Sequence, residues 1–157
     1  LQERVFAPLG MTSTQFGDAE TVIKRRAPAY IRAEQGLRTS HYLFGFGNPG
    51  AGLNSSAADL AKLMSALDAG KLLTSRSLEE MWTRVALNDG TTRDYALGWT
   101  TALHNGKTVV GHEGGGSAWV AHFPAERLSI VVLCNLNGAR ADEIQYGIAD
   151  LYLTQRP

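Results

Sequence analysis

The sequence has almost no cysteine, no long apolar run and no excess of either charge. Cys134 is the only cysteine among 157 residues, so an intrachain disulfide is excluded, and its apolar neighbours predict a buried, unreactive thiol. The longest apolar run, residues 130–134, is far too short to span a bilayer, which predicts no transmembrane segment. Fifteen basic and fifteen acidic residues cancel, so no long-range field would recruit nucleic acid or an anionic membrane.

The length and the first residues bear on domain organisation. A chain of 157 residues fits one domain with a sizeable core. The opening stretch LQERVFAPLGM has no initiator methionine and lacks the basic and apolar regions of a signal peptide. It is typical of the end of an amphipathic helix that stops at Pro8. We therefore expect a fragment or a processed product, and the sequence leaves its localisation open.

Three regions follow one another along the chain. Residues 1–54 carry many turn formers and predict irregular structure, with one short strand at 40–44. Residues 55–86 predict two helices, because apolar residues recur at helical spacing and a Ser77–Glu80 capping box opens the second. Residues 94–157 predict a sheet followed by a C-terminal helix.

The third region is typical of an antiparallel meander, because short links join its strands. The strands are predicted at 95–103, 107–112, 118–123 and 128–136. Asn105-Gly106, between the first two, is a pair typical of a type I′ hairpin. A helix at 140–154 is expected to lie across the sheet on an apolar face. That face is Ile144, Ile148, Leu151 and Tyr152. The predicted fold class is α+β, with about four antiparallel strands.

The stretch GHEGGGSAWV, residues 111–120, contains three consecutive glycines after a histidine and a glutamate. Each glycine costs roughly 0.5–1 kcal/mol of backbone entropy relative to alanine, so three in a row need a reason. One reason is a hairpin turn between two strands. The other is a strand end stripped of side chains so that a substrate can approach the backbone. Likewise, His112 is either an ordinary polar residue or a proton carrier and anion anchor.

Two other patterns, a glycine-rich stretch and a set of histidines, are disfavoured as functional sites. GFGNPG, residues 45–50, matches the glycine spacing of a dinucleotide site, but no helix opens within it and no parallel strand follows. His104, His112, Glu113 and His122 lie along the predicted strands without the spacing of a metal motif. The sequence therefore predicts no cofactor and no metal.

Several separated stretches together resemble one family. VFAPLGMTST (5–14), GAGLNSSAADLAKL (50–63), YALGW (95–99), GHEGGGSAWVAHFP (111–124) and SIVVLCN (129–135) are similar to segments of the serine beta-lactamase-like hydrolases. That group includes class C beta-lactamases, D-alanyl-D-alanine carboxypeptidases and esterases. The matches occur in the family's order. The resemblance implies the C-terminal portion of a beta-lactamase/transpeptidase-like fold, with the N-terminal portion missing.

The resemblance also implies roles for the glycine-rich strand. His112-Glu113-Gly114 matches the family's lysine-x-glycine or histidine-x-glycine triplet at the edge of the active site. By this analogy His112 takes part in proton transfer or holds the acidic group of the substrate. The N–H of Gly115 is one of two oxyanion-hole donors. Glu113, Gly114 and Gly116 line the substrate, and which way Glu113 faces is left open.

The family's nucleophile is absent from this chain. No Ser-x-x-Lys and no Tyr-x-Asn occurs in the sequence; in the family both precede the PLGM segment. The resemblance therefore implies a parent serine hydrolase that forms an acyl-enzyme on a beta-lactam, a D-Ala-D-Ala peptide or an ester, and a chain that is inactive alone. Its expected partners are that substrate and the missing N-terminal portion.

Two alternatives and two further expectations complete the analysis. A non-catalytic module of the same fold that binds peptides or proteins is the main alternative, and nucleotide binding through GFGNPG is a minor one. The resemblance implies a periplasmic or secreted protein. A sheet left open by the missing portion implies self-association through its edge.

Overall fold

The structure is a computed structural model that describes residues 1–17, 21–40, 50–115 and 117–154. A π-helical turn at Gln2–Phe6 opens the chain. The α-helices are α1 (Ala57–Asp68), α2 (Ser75–Trp82) and α3 (Ala141–Leu153). The strands are β1 (Gln15–Phe16), β2 (Ala29–Ala33), β3 (Gly36–Ser40), β4 (Leu53–Asn54), β5 (Thr100–His104), β6 (Lys107–Gly114), β7 (Ala118–Phe123) and β8 (Leu128–Leu133).

The main sheet has four antiparallel strands in the order β5-β6-β7-β8. Asn105 and Gly106, with φ values of 50° and 78°, form the left-handed turn between β5 and β6. The α+β class, the antiparallel meander and the C-terminal helix were predicted from the sequence and are confirmed. In the first region β1 pairs with β4 and β2 pairs with β3, each as a small separate sheet.

The sheet is covered on both faces, and β7 shows how. Ala121 and Phe123 are fully buried on the face that packs against α3. Val120 and His122 point to the other face, where Val120 joins the cluster formed by α1 and α2. This alternation follows from the period of two along a strand. The main sheet thus separates two apolar clusters.

A buried carboxylate ties the first turn of α1 to the N-terminal segment. Ser56 caps the helix by accepting a hydrogen bond from the backbone N–H of Asp59. The Asp59 carboxylate accepts hydrogen bonds from the Ser13 N–H at 2.7 Å, the Thr14 hydroxyl at 3.0 Å and Lys62 Nζ at 2.8 Å. Burial alone would raise the pKa of Asp59, but these donors outweigh it and lower the pKa.

The region before β5 differs from the prediction. The strand expected at 95–103 forms, but it begins only at Thr100, so the predicted start is wrong. The Ala96 N–H donates to the Trp99 carbonyl at 2.7 Å and Gly98 has a φ of 79°, which closes a tight loop. The loop brings Tyr95 back beside Thr100 in a single antiparallel bridge. A hydrophobic alternation does not reveal such a reversal.

Two smaller expectations also need correction, and a third falls largely outside the described residues. α2 begins at Ser75 with Thr74 as its cap, two residues before the predicted capping box. Cys134 is partly exposed, because β8 ends at Leu133. The strand expected at 40–44 lies outside the described residues except for its first residue, which ends β3.

The face on which α3 packs was predicted wrongly. The residues it buries are Ala141, Gln145 and Ala149, whereas most of the predicted apolar face points to solvent. The small alanine side chains let the helix axis approach the sheet closely. The exposed apolar residues of α3 are Ile144, Leu151 and Tyr152. None of the helices in the described ranges has the length and apolar character of a membrane span.

Candidate functional site

The C-terminal end of β6 emerges from the core. Val109, Val110 and Gly111 are buried, and the next three residues, His112 to Gly114, are exposed. Neighbouring side chains of a strand point to opposite faces of the sheet. The exposure of three consecutive residues therefore means that both faces are uncovered at this end of β6. His112 pairs with Val120 and Glu113 with Trp119, which puts His112 on the α1–α2 face and Glu113 on the α3 face.

The glycines at the end of β6 differ in whether the fold requires glycine at their position. A Cβ on Gly111 would lie 2.5 Å from the Val120 carbonyl oxygen, so close strand packing requires glycine there. Gly115 has a φ of 58°, which favours glycine in the turn to β7. Gly114 meets neither requirement, because its φ is not left-handed and, among the described residues, its Cβ would meet only the Ala118 Cβ at 3.4 Å. The fold therefore leaves the absence of a side chain at Gly114 unexplained.

Gly115 lies in the turn that follows β6. Among the backbone hydrogen bonds of turns and loops in the described ranges, none is donated by the Gly115 N–H. The neighbouring bonds are from the Ser117 N–H to the Gly114 carbonyl at 3.3 Å and from the Cys134 N–H to the Ser117 carbonyl at 2.9 Å. Gly115 is exposed. Gly116, also expected in the site, lies outside the described residues.

His112 is held by two partners. Its Nε2 lies 2.8 Å from the Tyr95 hydroxyl, with the two rings edge to face at 75°. Its Nδ1 contacts the carbonyl oxygen of Glu113. A carbonyl only accepts, so Nδ1 carries the proton in this arrangement, and Nε2 of the neutral ring accepts from the hydroxyl. Tyr95 opens the YALGW stretch, but its sequence gives no sign of this contact; only the loop that follows it brings Tyr95 beside His112.

His122, by contrast, is buried two positions further from the exposed end of β6, where it pairs with Val110. Its Nδ1 lies 2.9 Å from Ser129 Oγ, and its Nε2 approaches Asp68 Oδ1 at 3.0 Å without hydrogen-bond geometry. The Trp82 ring covers it at a centroid distance of 5.3 Å. Burial lowers the pKa of His122, and the nearby Asp68 offsets only part of this effect. His122 is therefore a core residue rather than part of the exposed site.

His104 joins the β5–β6 hairpin to α3. Its Nε2 lies 2.6 Å from Asp150 Oδ1, and its ring stacks on Tyr146 at 4.3 Å. The histidines weighed as metal ligands thus stand in three different environments. No group of three or more potential ligands that could hold a metal occurs in the part of the chain that the structure describes. GFGNPG lies outside that part except for Gly50.

A surface groove of about 500 Å³ lies away from the exposed strand end. Its lining residues are Ser65, Asp68, Ala125, Glu126 and Arg127. Residues 124–127 form the turn between β7 and β8, at the end of the sheet opposite residues 115–117. The groove therefore does not coincide with the residues that the resemblance brings to the site.

A family model and several solved structures are similar to this chain. A family model described as Beta-lactamase matches residues 1–153. A penicillin-binding protein homologue from Pyrococcus abyssi, described as octameric, superimposes with a TM-score of 0.82 and 25% identity over 99% of this chain. A penicillin-binding protein from Bacillus halodurans gives a TM-score of 0.77 and 25% identity over 96% of this chain.

A D-amino acid amidase from Ochrobactrum anthropi SV3 has the same fold, with a TM-score of 0.80 and 20% identity over 99% of this chain. The chain spans 37% of the Pyrococcus protein, 48% of the Bacillus protein and 52% of the amidase. No curated protein is significantly similar to the chain. The region matched by the family model contains the exposed end of β6.

Proposed function

Because the chain belongs to the beta-lactamase family, we propose that the exposed end of β6 is one wall of the acyl-transfer site of a serine hydrolase. The observation that carries this proposal is the bare backbone at Gly114, where neither packing nor φ requires glycine. A substrate that hydrogen-bonds to the strand needs such close approach. In this proposal the close approach of the substrate, rather than the packing of the chain, accounts for the glycine at position 114.

In this proposal the N–H of Gly115 stabilises the oxyanion. A serine oxygen attacks the carbonyl carbon of the substrate, and the carbonyl oxygen becomes negatively charged. The bond to the leaving nitrogen or oxygen then breaks, and water hydrolyses the acyl-enzyme to free acid and serine. A fixed N–H directed at the developing charge is worth about 10²–10³ in rate. Exposure of Gly115 and the absence of a described acceptor support this role.

The nucleophile must come from polypeptide outside these 157 residues, because the sequence contains no Ser-x-x-Lys. We expect the chain alone to be inactive for that reason. Tight placement of both halves matters, since a misplacement of about 1 Å can cost about 10²-fold in rate. The proposed partner is therefore the portion that carries the serine and lysine, in the same protein.

The side chains beside the glycines supply the remaining roles. His112 takes part in proton transfer or holds the acidic group of the substrate, and Glu113 and Gly116 line it. The proposed substrate class is a carbonyl compound with an amide or ester leaving group, which includes beta-lactams, D-Ala-D-Ala peptides and simple esters. Beyond this class, selectivity depends on pocket shape.

The test compares this chain with the longest form of the protein that its gene encodes. Both are assayed with a chromogenic cephalosporin, a D-Ala-D-Ala peptide and a nitrophenyl ester. We expect hydrolysis by the long form only, abolished when the serine of its Ser-x-x-Lys is replaced by alanine. A long form that carries this motif, folds and hydrolyses none of the three would contradict the proposal and favour the non-catalytic binding module.

Two variants of the long form test whether Gly114 belongs to the proposed wall of the active site. Gly114→Val places a branched side chain where the substrate would lie, and we expect a loss of about 10²-fold in kcat/KM. Leu151→Val, a change on the exposed face of α3, is the control and keeps wild-type activity. Wild-type kcat/KM in Gly114→Val would remove Gly114 from the site.

We also propose that the chain self-associates through an uncovered edge of the main sheet, and that an apolar strip on α3 adds to this tendency. Ile144, Leu151 and Tyr152 form an apolar strip on α3 that is 46%, 63% and 59% exposed. Burial of such a strip against another copy removes apolar area from water. Light scattering at increasing concentration tests this, and a monodisperse monomer at high concentration would contradict it.

A further inference from the structure

Tyr95 reaches His112 because of the tight loop before β5. The bridge between Tyr95 and Thr100 places residue 95 alongside the first residue of β5. Thr100 pairs with Gly111, and its hydroxyl donates to the Gly111 carbonyl at 2.8 Å. Gly111 directly precedes His112 in β6. Two backbone registers therefore fix the phenol ring beside the imidazole.

The partners of the imidazole determine which nitrogen carries the proton. The Glu113 carbonyl accepts a hydrogen bond, so it selects the form with hydrogen on Nδ1. The remaining lone pair, on Nε2, then accepts the hydrogen of the Tyr95 hydroxyl at 2.8 Å. Free histidine in water favours the opposite form, with hydrogen on Nε2. The surroundings of His112 thus select the less common tautomer.

We propose that Tyr95 is a positioning residue of this site: its hydroxyl bonds Nε2 of His112 and holds the ring against the Glu113 carbonyl, which selects the Nδ1–H form. The importance of Tyr95 for catalysis rests on the acyl-transfer function proposed above, whereas its effect on the tautomer of His112 does not. In this arrangement Nε2, the basic nitrogen of the ring, is already hydrogen-bonded to the Tyr95 hydroxyl. A substrate group that hydrogen-bonds to this pair therefore meets the Tyr95 hydroxyl before the ring.

The exposure of both residues explains why such a clamp is needed. Tyr95 is 47% exposed, and His112 stands on a strand end that no described element covers. An exposed imidazole without a second contact would sample several rotamers. Catalytic groups work best when neighbouring contacts hold their geometry in advance. The edge-to-face contact and the hydrogen bond supply two such restraints.

The first experiment measures the tautomer in the 157-residue chain by ¹⁵N and ¹³C NMR of histidine rings, at a pH about two units above the ordinary histidine pKa of 6.5. We expect His112 to be mainly the Nδ1–H form. Tyr95→Phe keeps the ring contact and removes the hydroxyl, and we expect the population to shift toward Nε2–H. Tyr152→Phe on α3 is the matched control and leaves the His112 signals unchanged. The same tautomer in wild type and Tyr95→Phe would overturn the proposal.

The second experiment measures kcat and KM of Tyr95→Phe in the long form. We expect kcat to fall by about tenfold or more with little change in KM, on the 10²–10⁴-fold scale of acid–base assistance. A tautomer shift in a long form without hydrolysis would overturn the proposed function and leave the tyrosine–histidine clamp standing. A tautomer shift with unchanged kcat would overturn the role of Tyr95 in catalysis.

Discussion

Two histidines on neighbouring strands of one sheet differ sharply in their exposure to solvent. His112, near the end of β6, is exposed and held by an exposed tyrosine. His122, near the end of β7, is 1% exposed and held between Ser129 and Asp68. Both side chains lie on the same face of the sheet, since β6 and β7 pair in register. Their difference lies in what covers each end of that face.

At the His122 end, α1 and α2 close over the sheet and supply Asp68 and Trp82 as neighbours. At the His112 end, no helix or strand in the described ranges provides such cover. An imidazole surrounded by protein contributes to packing, whereas an exposed imidazole and its tyrosine partner can be reached by a ligand. Exposure, rather than residue type, therefore distinguishes the candidate site from the core.

The largest expected effect comes from truncating the two histidines in turn. His122→Ala removes the hydrogen bond to Ser129 and leaves a cavity beside Trp82, so we expect a loss of about 3 kcal/mol in the free energy of unfolding. His112→Ala should cost less than about 1 kcal/mol, because exposed contacts contribute little. Urea unfolding of both variants measures this difference. Equal losses would show that the His112 end is as tightly packed as the His122 end.

A second pair of variants makes the same comparison within β6. Gly111→Ala drives a Cβ into the Val120 carbonyl oxygen, and overpacking of this kind costs about 1–3 kcal/mol. Gly114→Ala adds a Cβ at ordinary contact distance, so we expect a change within about 0.5 kcal/mol. Thermal unfolding of the two variants checks the prediction. If Gly114→Ala lost as much stability as Gly111→Ala, packing would explain the glycine and the argument for substrate approach would fail.

A smaller effect concerns pH. The pKa of His122 is lowered by burial, so below about pH 6.5 the unfolded chain binds a proton that the folded chain still excludes. This group's contribution to stability is therefore full above pH 6.5 and is lost as pH falls toward the folded pKa. Urea unfolding between about pH 7.5 and 5.5 should show a loss that is smaller in His122→Gln. An identical loss in the variant would assign the pH dependence to other groups.

Local sequence signals predicted the sheet well. Asn105-Gly106 fixed the β5–β6 hairpin, and short links predicted the meander. The first of the two helices predicted in residues 55–86 forms as α1, with Ser56 as its cap. These features depend on the backbone preferences of a few adjacent residues, which the sequence carries directly. The stretch YALGW misled because its period fits a strand, while Gly98 reverses the chain.

Features that depend on distant parts of the chain were harder to predict. The face of α3 was wrong because the sheet accepts the small side chains of Ala141 and Ala149 and leaves larger apolar ones outside. The contact between Tyr95 and His112 joins residues 17 positions apart through two strand registers. The residues proposed for the site came from the family resemblance, and their catalytic roles stay predictions.

The most direct test of the account is the hydrogen-exchange rate of the Gly115 amide, measured by NMR on the 157-residue chain. An N–H that awaits an oxyanion has no internal acceptor, so we expect exchange within about tenfold of an unstructured peptide. Val110, in the buried middle of β6, should be strongly protected in the same experiment. Protection of Gly115 at the level of Val110 would mean that its N–H is already engaged, and it would contradict the proposed acyl-transfer wall.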